Sequence, residues 1–99
     1  MTVPASKPRV RPDLTIVELD GEAVIYDELS GDLHHLNSAA TLVLGLCDGT
    51  ATGRQLASDI AEAYGLPRER VVADVQAALR AFRKSNLLAP SERSIRAGG

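Results

Sequence analysis

The sequence predicts an α+β fold in which a three-stranded antiparallel meander precedes a three-helix bundle. Two observations support this prediction. Between Leu14 and Asn37, short β-branched or apolar runs alternate with Gly-containing turn signals, and from Asn37 onward the apolar residues recur at helical spacing. A chain of 99 residues is long enough for one small domain.

The strands are predicted from their turns. The first strand, Thr15 to Leu19, ends at Asp20-Gly21, a dipeptide that readily adopts the positive φ angles of a tight hairpin turn. The second, Ala23 to Asp27, is followed by a turn at Ser30-Gly31. The third is the short run from Leu33 to Leu36. These three strands form a simple meander.

The first predicted helix runs from Ala39 to Cys47 and is apolar along most of its length, which predicts burial on most sides. Asn37 or Ser38 is a suitable N-cap. The dipeptide Asp48-Gly49 is expected to end the helix, because glycine accommodates the left-handed conformation that follows many helices.

Two further helices follow. Thr52 and Gln55 have the spacing of a capping box, and Gly65 ends the second helix. Pro67 starts the third helix and Asn86 closes it. The predicted apolar stripes are Leu56, Ala57, Ile60, Ala61 and Tyr64 on the second helix and Val71, Val75, Ala78, Leu79 and Phe82 on the third. Leu87-Leu88 remains as a short extended tail.

Both ends of the chain are predicted to be flexible. Pro4, Pro8 and Pro12 interrupt any regular element in residues 1–12, and residues 91–99 are polar and end in two glycines. The sequence therefore predicts a flexible N-terminal tail over 1–12, a folded domain over 13–90 and a flexible C-terminal tail over 91–99.

Composition and charge exclude several classes of function. Aromatic residues make up 3% of the chain and the formal net charge is −2, whereas single-strand nucleic-acid platforms need aromatic faces and phosphate binders need surplus Lys and Arg. No apolar run approaches the roughly 20 residues of a membrane span, and residues 1–12 lack the apolar core of a signal peptide. A single cysteine excludes an internal disulfide. We expect a cytoplasmic protein that binds neither nucleic acid nor membrane.

The charges are distributed unevenly along the chain. Residues 13–48 carry eight acidic and no basic side chains, and residues 49–99 carry eight basic and five acidic ones. The half of the chain that forms the strands and the half that forms the helices should therefore present surfaces of different charge.

The residue types that often carry chemistry occur here without the spacing that chemistry needs. His34 and His35 are adjacent on a strand and point to opposite faces, so they do not readily share a metal ion. Cys47 lies in an apolar helix, where a thiol is usually an inert, small hydrophobic group. Asp27-Glu28 has no second carboxylate pair fixed opposite it, which favours a solvated turn. We therefore expect no catalytic residue, no metal and no cofactor.

Three stretches carry a resemblance to a known family. They are Leu36-Asn37-Ser38-Ala39-Ala40, Leu46-Cys47-Asp48-Gly49, and Asp74-Val75 followed by Leu79 and Phe82. Together they resemble the PqqD-like family of stand-alone RiPP recognition elements, over roughly residues 13–88. His34, before Leu36-Asn37, resembles PqqD-type proteins encoded with kinase-related partners of the HPr system, and lasso-peptide recognition proteins share much of the pattern.

The resemblance implies a winged-helix-like fold and a peptide-binding protein without chemistry of its own. Members of this family act as peptide chaperones in natural-product biosynthesis. They bind the leader segment of a ribosomally made precursor peptide and present it to a modifying enzyme such as a radical SAM enzyme, a protease or a kinase-related protein. The leader adds as a strand beside the third strand, in a groove against the third helix.

The residues themselves supply the parts for such binding. The outer strand of a meander has an unpaired edge, and the third strand contains no Pro or Lys that would block it. On the third helix, a line beside the apolar stripe combines apolar, amide and basic side chains at helical spacing. The predicted peptide-binding residues are Leu33, His34, His35 and Leu36 on the strand and Val72, Val75, Gln76, Leu79, Arg80 and Arg83 on the helix.

A winged helix-turn-helix DNA-binding regulator is the alternative from a different class, because three helices with a small sheet can place one helix in the major groove. The negative net charge and the absence of basic residues from 13–48 argue against it.

Overall fold

The computed structural model describes residues 7–90, and it confirms the predicted order of three strands followed by three helices. The elements are β1 (Thr15–Leu19), β2 (Glu22–Asp27), β3 (Asp32–Leu36), α1 (Ser38–Gly45), α2 (Gly53–Tyr64) and α3 (Arg68–Lys84). The strands form one sheet in the order β1-β2-β3, with both pairs antiparallel. The predicted α+β meander is therefore confirmed.

The two hairpin turns form where the glycines predict them. Asp20 and Gly21 have φ angles of 55° and 80°, and Leu19 lies opposite Glu22. Positive φ at both central residues is the mark of a type I′ turn, whose twist matches that of the flanking strands. Gly31 has a φ of 79°, and its N–H donates a 2.7 Å hydrogen bond to the carbonyl oxygen of Asp27.

The sheet has one buried face and one exposed face. Along β2, the side chains of Ala23, Ile25 and Asp27 are buried while their neighbours are exposed, as the alternation of a strand requires. The buried face packs against the helices. The core comprises Ile25, Val43, Leu44, Cys47, Leu56, Ala57, Ile60, Ala61, Val71, Val75, Leu79, Phe82 and Leu87.

The helices begin at the predicted caps. The side-chain oxygen of Asn37 accepts a 2.8 Å hydrogen bond from the N–H of Ala40, and Thr52 and Gln55 form the reciprocal capping box. These side chains satisfy backbone donors that have no partner within the helix. Helix α1, however, ends at Gly45 rather than at Cys47.

The N-terminal segment pairs with the residues that follow α1, and this pairing accounts for the early end of the helix. Residues 8–11 lie between residues 47–49 and residues 87–89. Their backbone hydrogen bonds run from Val10 N to Cys47 O (2.9 Å), Gly49 N to Pro8 O (3.0 Å), Arg11 N to Leu87 O (3.0 Å) and Ala89 N to Arg9 O (2.7 Å). Residues 47–49 serve this pairing instead of continuing the helix.

Among the described residues, packing begins at Pro8, which is buried and lies ahead of the predicted domain start at residue 13. The pairing of Val10 with Leu88 fits the predicted extended tail at Leu87-Leu88. The flexibility predicted for residues 1–6 and 91–99 lies outside the described residues.

A buried arginine fixes this arrangement. The guanidinium of Arg11 donates hydrogen bonds to both carboxylate oxygens of Asp27 (2.8 and 3.3 Å), to Asp13 (2.7 Å) and to the carbonyl oxygen of Asn86 (2.8 Å). These bonds hold the pKa of the Asp27 carboxyl group and that of the Asp13 carboxyl group below the usual value. Arg11 thus links the N-terminal segment, the end of β2 and the residues after α3, whereas the sequence suggested a solvated turn at Asp27.

One predicted core residue is not in the core. The apolar periodicity predicts Tyr64 on the buried stripe of α2, but its side chain is 60% exposed because it belongs to the last turn, beyond the buried residues of the helix. Within the described residues, no helix is both long enough and apolar enough to cross a membrane.

Candidate peptide-binding site

Within residues 7–90, strand β3 is paired along one edge and open along the other, because the sheet ends at this strand. The type I′ turn makes Leu19 and Glu22 a hydrogen-bonded pair, so alternate residues of β2, starting from Glu22, bond to β1 and the others bond to β3. Ala23, Ile25 and Asp27 therefore direct their backbone groups toward β3.

Their partners on β3 are Leu36, His34 and Asp32 respectively. Backbone groups of successive residues in an antiparallel strand point in opposite directions. The N–H and C=O groups of Leu33 and His35 therefore point to the open edge, where another extended chain can pair with them.

The side chains of β3 alternate between the two faces of the sheet, as predicted. Leu33 is 69% exposed and His35 is also exposed, both on the outer face. The Nε2 atom of His35 lies 2.8 Å from a carboxylate oxygen of Glu22. His34 and Leu36 are half-buried on the inner face, which is the partly buried position predicted for His34.

The predicted residues of α3 divide into two groups. Val75 and Leu79 belong to the hydrophobic core, where they are 2% and 1% exposed, so they offer almost no surface to a peptide. Val72 and Gln76 are half-buried, and Arg80 and Arg83 are exposed. Apolar periodicity identifies the inner side of a helix, but it does not separate residues at the margin of the core from those within it.

A close approach between two helices places Gln76 more specifically. A methyl group at Gly53, the first residue of α2, would lie 2.9 Å from Cδ1 of Leu79 and 3.2 Å from Nε2 of Gln76. The amide of Gln76 thus lies over the start of α2, close to the Cα of Gly53. A glycine at the start of a helix, directly after the capping threonine, was the sequence signal for this contact.

Helix α1 connects the two halves of the candidate site, because it packs against β2, β3 and α3. The hydroxyl group of Thr41 in α1 donates a 3.3 Å hydrogen bond to the carbonyl oxygen of Leu36 in β3. A chain added to the open edge of β3 would therefore lie beside a sheet that is fixed to the helices.

Cys47 is placed for packing. Its side chain is 1% exposed and its Sγ atom donates to the carbonyl oxygen of Val43 at 3.2 Å. Burial, with a contribution from neighbouring Asp48, raises the pKa of the thiol to about 11. The reactive thiolate is therefore scarce at neutral pH. Among residues 7–90, no three side chains of metal-binding types cluster together.

A meander with an open strand edge, fixed by α1 to a helical layer, is the architecture of a small recognition module. The chain belongs to the PqqD family: the family model described as "Coenzyme PQQ synthesis protein D (PqqD)" matches residues 22–88. Among curated protein sequences, none matches the chain.

Solved structures share this fold at low sequence identity. TbiB1 in complex with the TbiA(beta) leader peptide is 20% identical, with a TM-score of 0.70 over 81% of this chain and 93% of that one. Lasso peptide synthetase B1, complexed with the leader peptide, is 21% identical, with a TM-score of 0.72 over 85% and 99%.

A third similar structure is the PqqD truncation of PqqCD from Methylobacterium extorquens, described as a functional, stand-alone RiPP recognition element. It is 21% identical to this chain, with a TM-score of 0.68 over 84% of this chain and 88% of that one. The fold is therefore that of the PqqD-like RiPP recognition elements, as the sequence resemblance implied.

Proposed function

We propose that the protein binds the leader segment of a ribosomally made precursor peptide by strand addition at β3 and presents it to a modifying enzyme. The single observation that carries this proposal is the open edge of β3, where the backbone groups of Leu33 and His35 point away from the sheet. Backbone hydrogen bonds would supply affinity, and side-chain contacts would supply selectivity.

The surroundings of this edge support the proposal. The half-buried His34 and Leu36 lie on the face of β3 that packs toward the helices, and on α3 Val72 and Gln76 are half-buried while Arg83 is exposed. An added strand could therefore bury alternate side chains on the helical side of the sheet. Two of the similar structures, TbiB1 and lasso peptide synthetase B1, contain leader peptides.

In this proposal the protein recognises its peptide and leaves the chemistry to its partner, which belongs to the class of peptide-modifying enzymes. The buried, protonated thiol of Cys47 and the paired carboxylates around Arg11 have structural roles. A radical SAM enzyme, a protease and a kinase-related protein are each suitable partners for the recognition step.

The DNA-binding alternative is not supported. A DNA-binding protein must meet phosphates with a surplus of positive charge, whereas this chain has a formal net charge of −2 and no Lys or Arg in residues 13–48. The family match and the similar structures point to peptide recognition instead.

Hydrogen exchange measured by NMR tests the proposal at individual amides. In the free protein, the N–H groups of Leu33 and His35 should exchange rapidly, because they have no partner in the sheet, while those of His34 and Leu36 should be protected. Addition of the precursor peptides encoded by short reading frames beside the gene should protect Leu33 and His35.

The amides of Ile16 and Glu18 provide the matched control, because by the same alternation they point to the open edge of β1. Their exchange should not change when peptide is added. Protection at β1 with none at β3, or no protection at either edge, would contradict the proposal.

A further inference from the structure

The outer face of the sheet carries apolar side chains that remain exposed. Val17 is 59% exposed, and Val24 and Tyr26 on the central strand are also exposed. The register aligns them in rows across the sheet, with Val17 opposite Val24 and Tyr26 opposite Leu33. We refer to Val17, Leu19, Val24, Tyr26, Leu33 and His35 as the outer sheet face.

Acidic groups border this face. Asp20, Glu22 and Glu28 are all exposed, and residues 13–48 contain neither Lys nor Arg. Two copies of the chain joined through this face would bring these carboxylates together, which is unfavourable. A surface complementary to the outer sheet face is an apolar patch bordered by Lys and Arg. A second copy of this face lacks such a border, so the complementary surface belongs to a different protein.

The outer sheet face alone would supply only the centre of such an interface. Three strands of about five residues cover roughly 250 Å², whereas a stable interface takes about 800 Å² from each partner. The shortfall matters because Leu33 and His35 belong both to this face and to the open edge of β3. A leader strand paired there would place alternate side chains on the same face and widen it by about one third, to roughly 330 Å².

We propose that the outer sheet face, extended by the bound leader strand, is the docking surface for the modifying enzyme, which meets it with an apolar centre and a basic border. This inference rests on the proposed function and adds the location and chemistry of the second interface. The enzyme would bind the loaded protein in preference to the free one, because the leader strand adds to the contact surface.

Substitutions on β1 and β2 can separate this interface from the leader site. The double variant Val17→Thr/Val24→Thr keeps the β-branched shape that strands favour but makes the centre of the face polar. Tyr64→Thr/Leu66→Thr is the matched control, because both side chains are exposed apolar groups in and just after α2. Asp20→Asn removes an acidic group and preserves the hairpin, since Asn-Gly also favours a type I′ turn.

The experiment measures two affinities for each full-length variant. The first is for the precursor peptide, and the second is for each purified protein encoded by the genes that adjoin this one, with and without the peptide. Val17→Thr/Val24→Thr should bind the peptide within about twofold of the parent but lose about tenfold or more in affinity for the enzyme. Asp20→Asn should lose a smaller factor, which disappears at high salt.

Several results would overturn the inference while leaving the proposed function intact. They are equal binding of the enzyme by parent and double variant, equal binding with and without leader, no adjoining protein that binds the loaded chain, and dimerisation of the loaded chain through this face. A parent chain that binds none of the precursor peptides would instead contradict the proposed function itself. A loss of enzyme binding equally large in the control variant would also reject this face.

Discussion

The two outer strands of the sheet differ in what lies beside them. Each has one open edge, but all five residues of β1 are exposed, whereas β3 packs against α1 and keeps His34 and Leu36 half-buried. A peptide added to β1 would gain backbone hydrogen bonds in water, which contribute little net stability. A peptide added to β3 would also bury side chains toward the helices.

This difference shows that an open edge alone does not make a peptide site. The β3 side of the sheet is also the better anchored side, since Arg11 joins the end of β2, next to the hairpin that leads into β3, to the residues after α3. A rigid edge loses less conformational entropy when it binds. The following predictions test this contrast between β1 and β3, beginning with the largest expected effect.

Substitution of Asp27 should remove the anchor of the β3 side. Asp27→Asn leaves the buried guanidinium of Arg11 without its closest buried charge partner, and should lower the thermal midpoint more than substitutions at either strand edge or on α3. Asp32→Asn, at the exposed position opposite Asp27, is the control and should have little effect.

The same pair predicts the effect of acid. Because folding lowers the pKa of Asp27 from its usual 3.8, its contribution to stability is fully present above that value and is lost as the pH falls through the folded-state pKa. The difference in midpoint between the parent and Asp27→Asn should therefore shrink below about pH 4. A constant difference across the pH range would exclude the ion pair as its source.

Proline substitution compares the two edges directly. Leu33→Pro removes an N–H group that points to the open edge of β3, and Glu18→Pro does the same on β1. The first should weaken precursor-peptide binding about tenfold to a hundredfold, because a peptide carbonyl loses its partner, and the second should leave binding unchanged. Circular dichroism must show that both variants are folded. Unchanged binding in a folded Leu33→Pro variant would exclude this edge.

Substitutions on α3 examine the helical side of the β3 site. Arg80 and Arg83 are neighbours three residues apart, and Arg83 lies on the same line as Val72. If Arg83 meets a leader carboxylate, Arg83→Ala should cost about 1.5–3 kcal/mol of binding at low salt. Val72→Ala should weaken binding about fivefold with little salt dependence, since its contribution is apolar.

The competing explanation for the basic residues is that they only stabilise the C-terminal end of α3, where cations favour the helix dipole. In that case Arg80→Ala and Arg83→Ala would lower the thermal midpoint slightly and leave the peptide affinity unchanged at every salt concentration. Affinity titrations at two salt concentrations, with a melting curve for each variant, separate the two explanations.

The last prediction is that removal of divalent ions has no effect. A chelator of divalent ions should leave the thermal midpoint and the peptide affinity unchanged, because His34 and His35 point to opposite faces and His35 is already paired with Glu22. A shift of several degrees would reveal a metal that contributes to folding.

Local signals in the sequence predicted most of the fold. The positive-φ turn at Asp20-Gly21, the capping box at Thr52 and the left-handed Gly65 depend on a few neighbouring residues, and each lies at its predicted position. The errors concern contacts between distant residues. Arg11 meets Asn86 across 75 positions of sequence, and nothing in a proline-rich N-terminal segment indicates such a partner.

At the candidate site, too, the features that depend on neighbouring residues were predicted correctly and those that depend on helix packing were not. Alternation along a strand correctly separated His34 from His35, because the period of two is a property of the backbone. Helical periodicity could not show that Val75 and Leu79 lie fully within the core or that Gln76 covers Gly53, because both depend on how closely α2 approaches α3.

The pairing of Val10 with Leu88 brings the two ends of the described chain to one place on the surface. The first and last segments of the domain therefore lie side by side, joined by the antiparallel contact between residues 8–11 and 87–89. Such a domain can be inserted into a surface loop of another protein with little strain. It can also be circularly permuted, with its two ends joined and new ends made at the exposed Ser30-Gly31 turn. In both rearrangements the open edge of β3 would remain available.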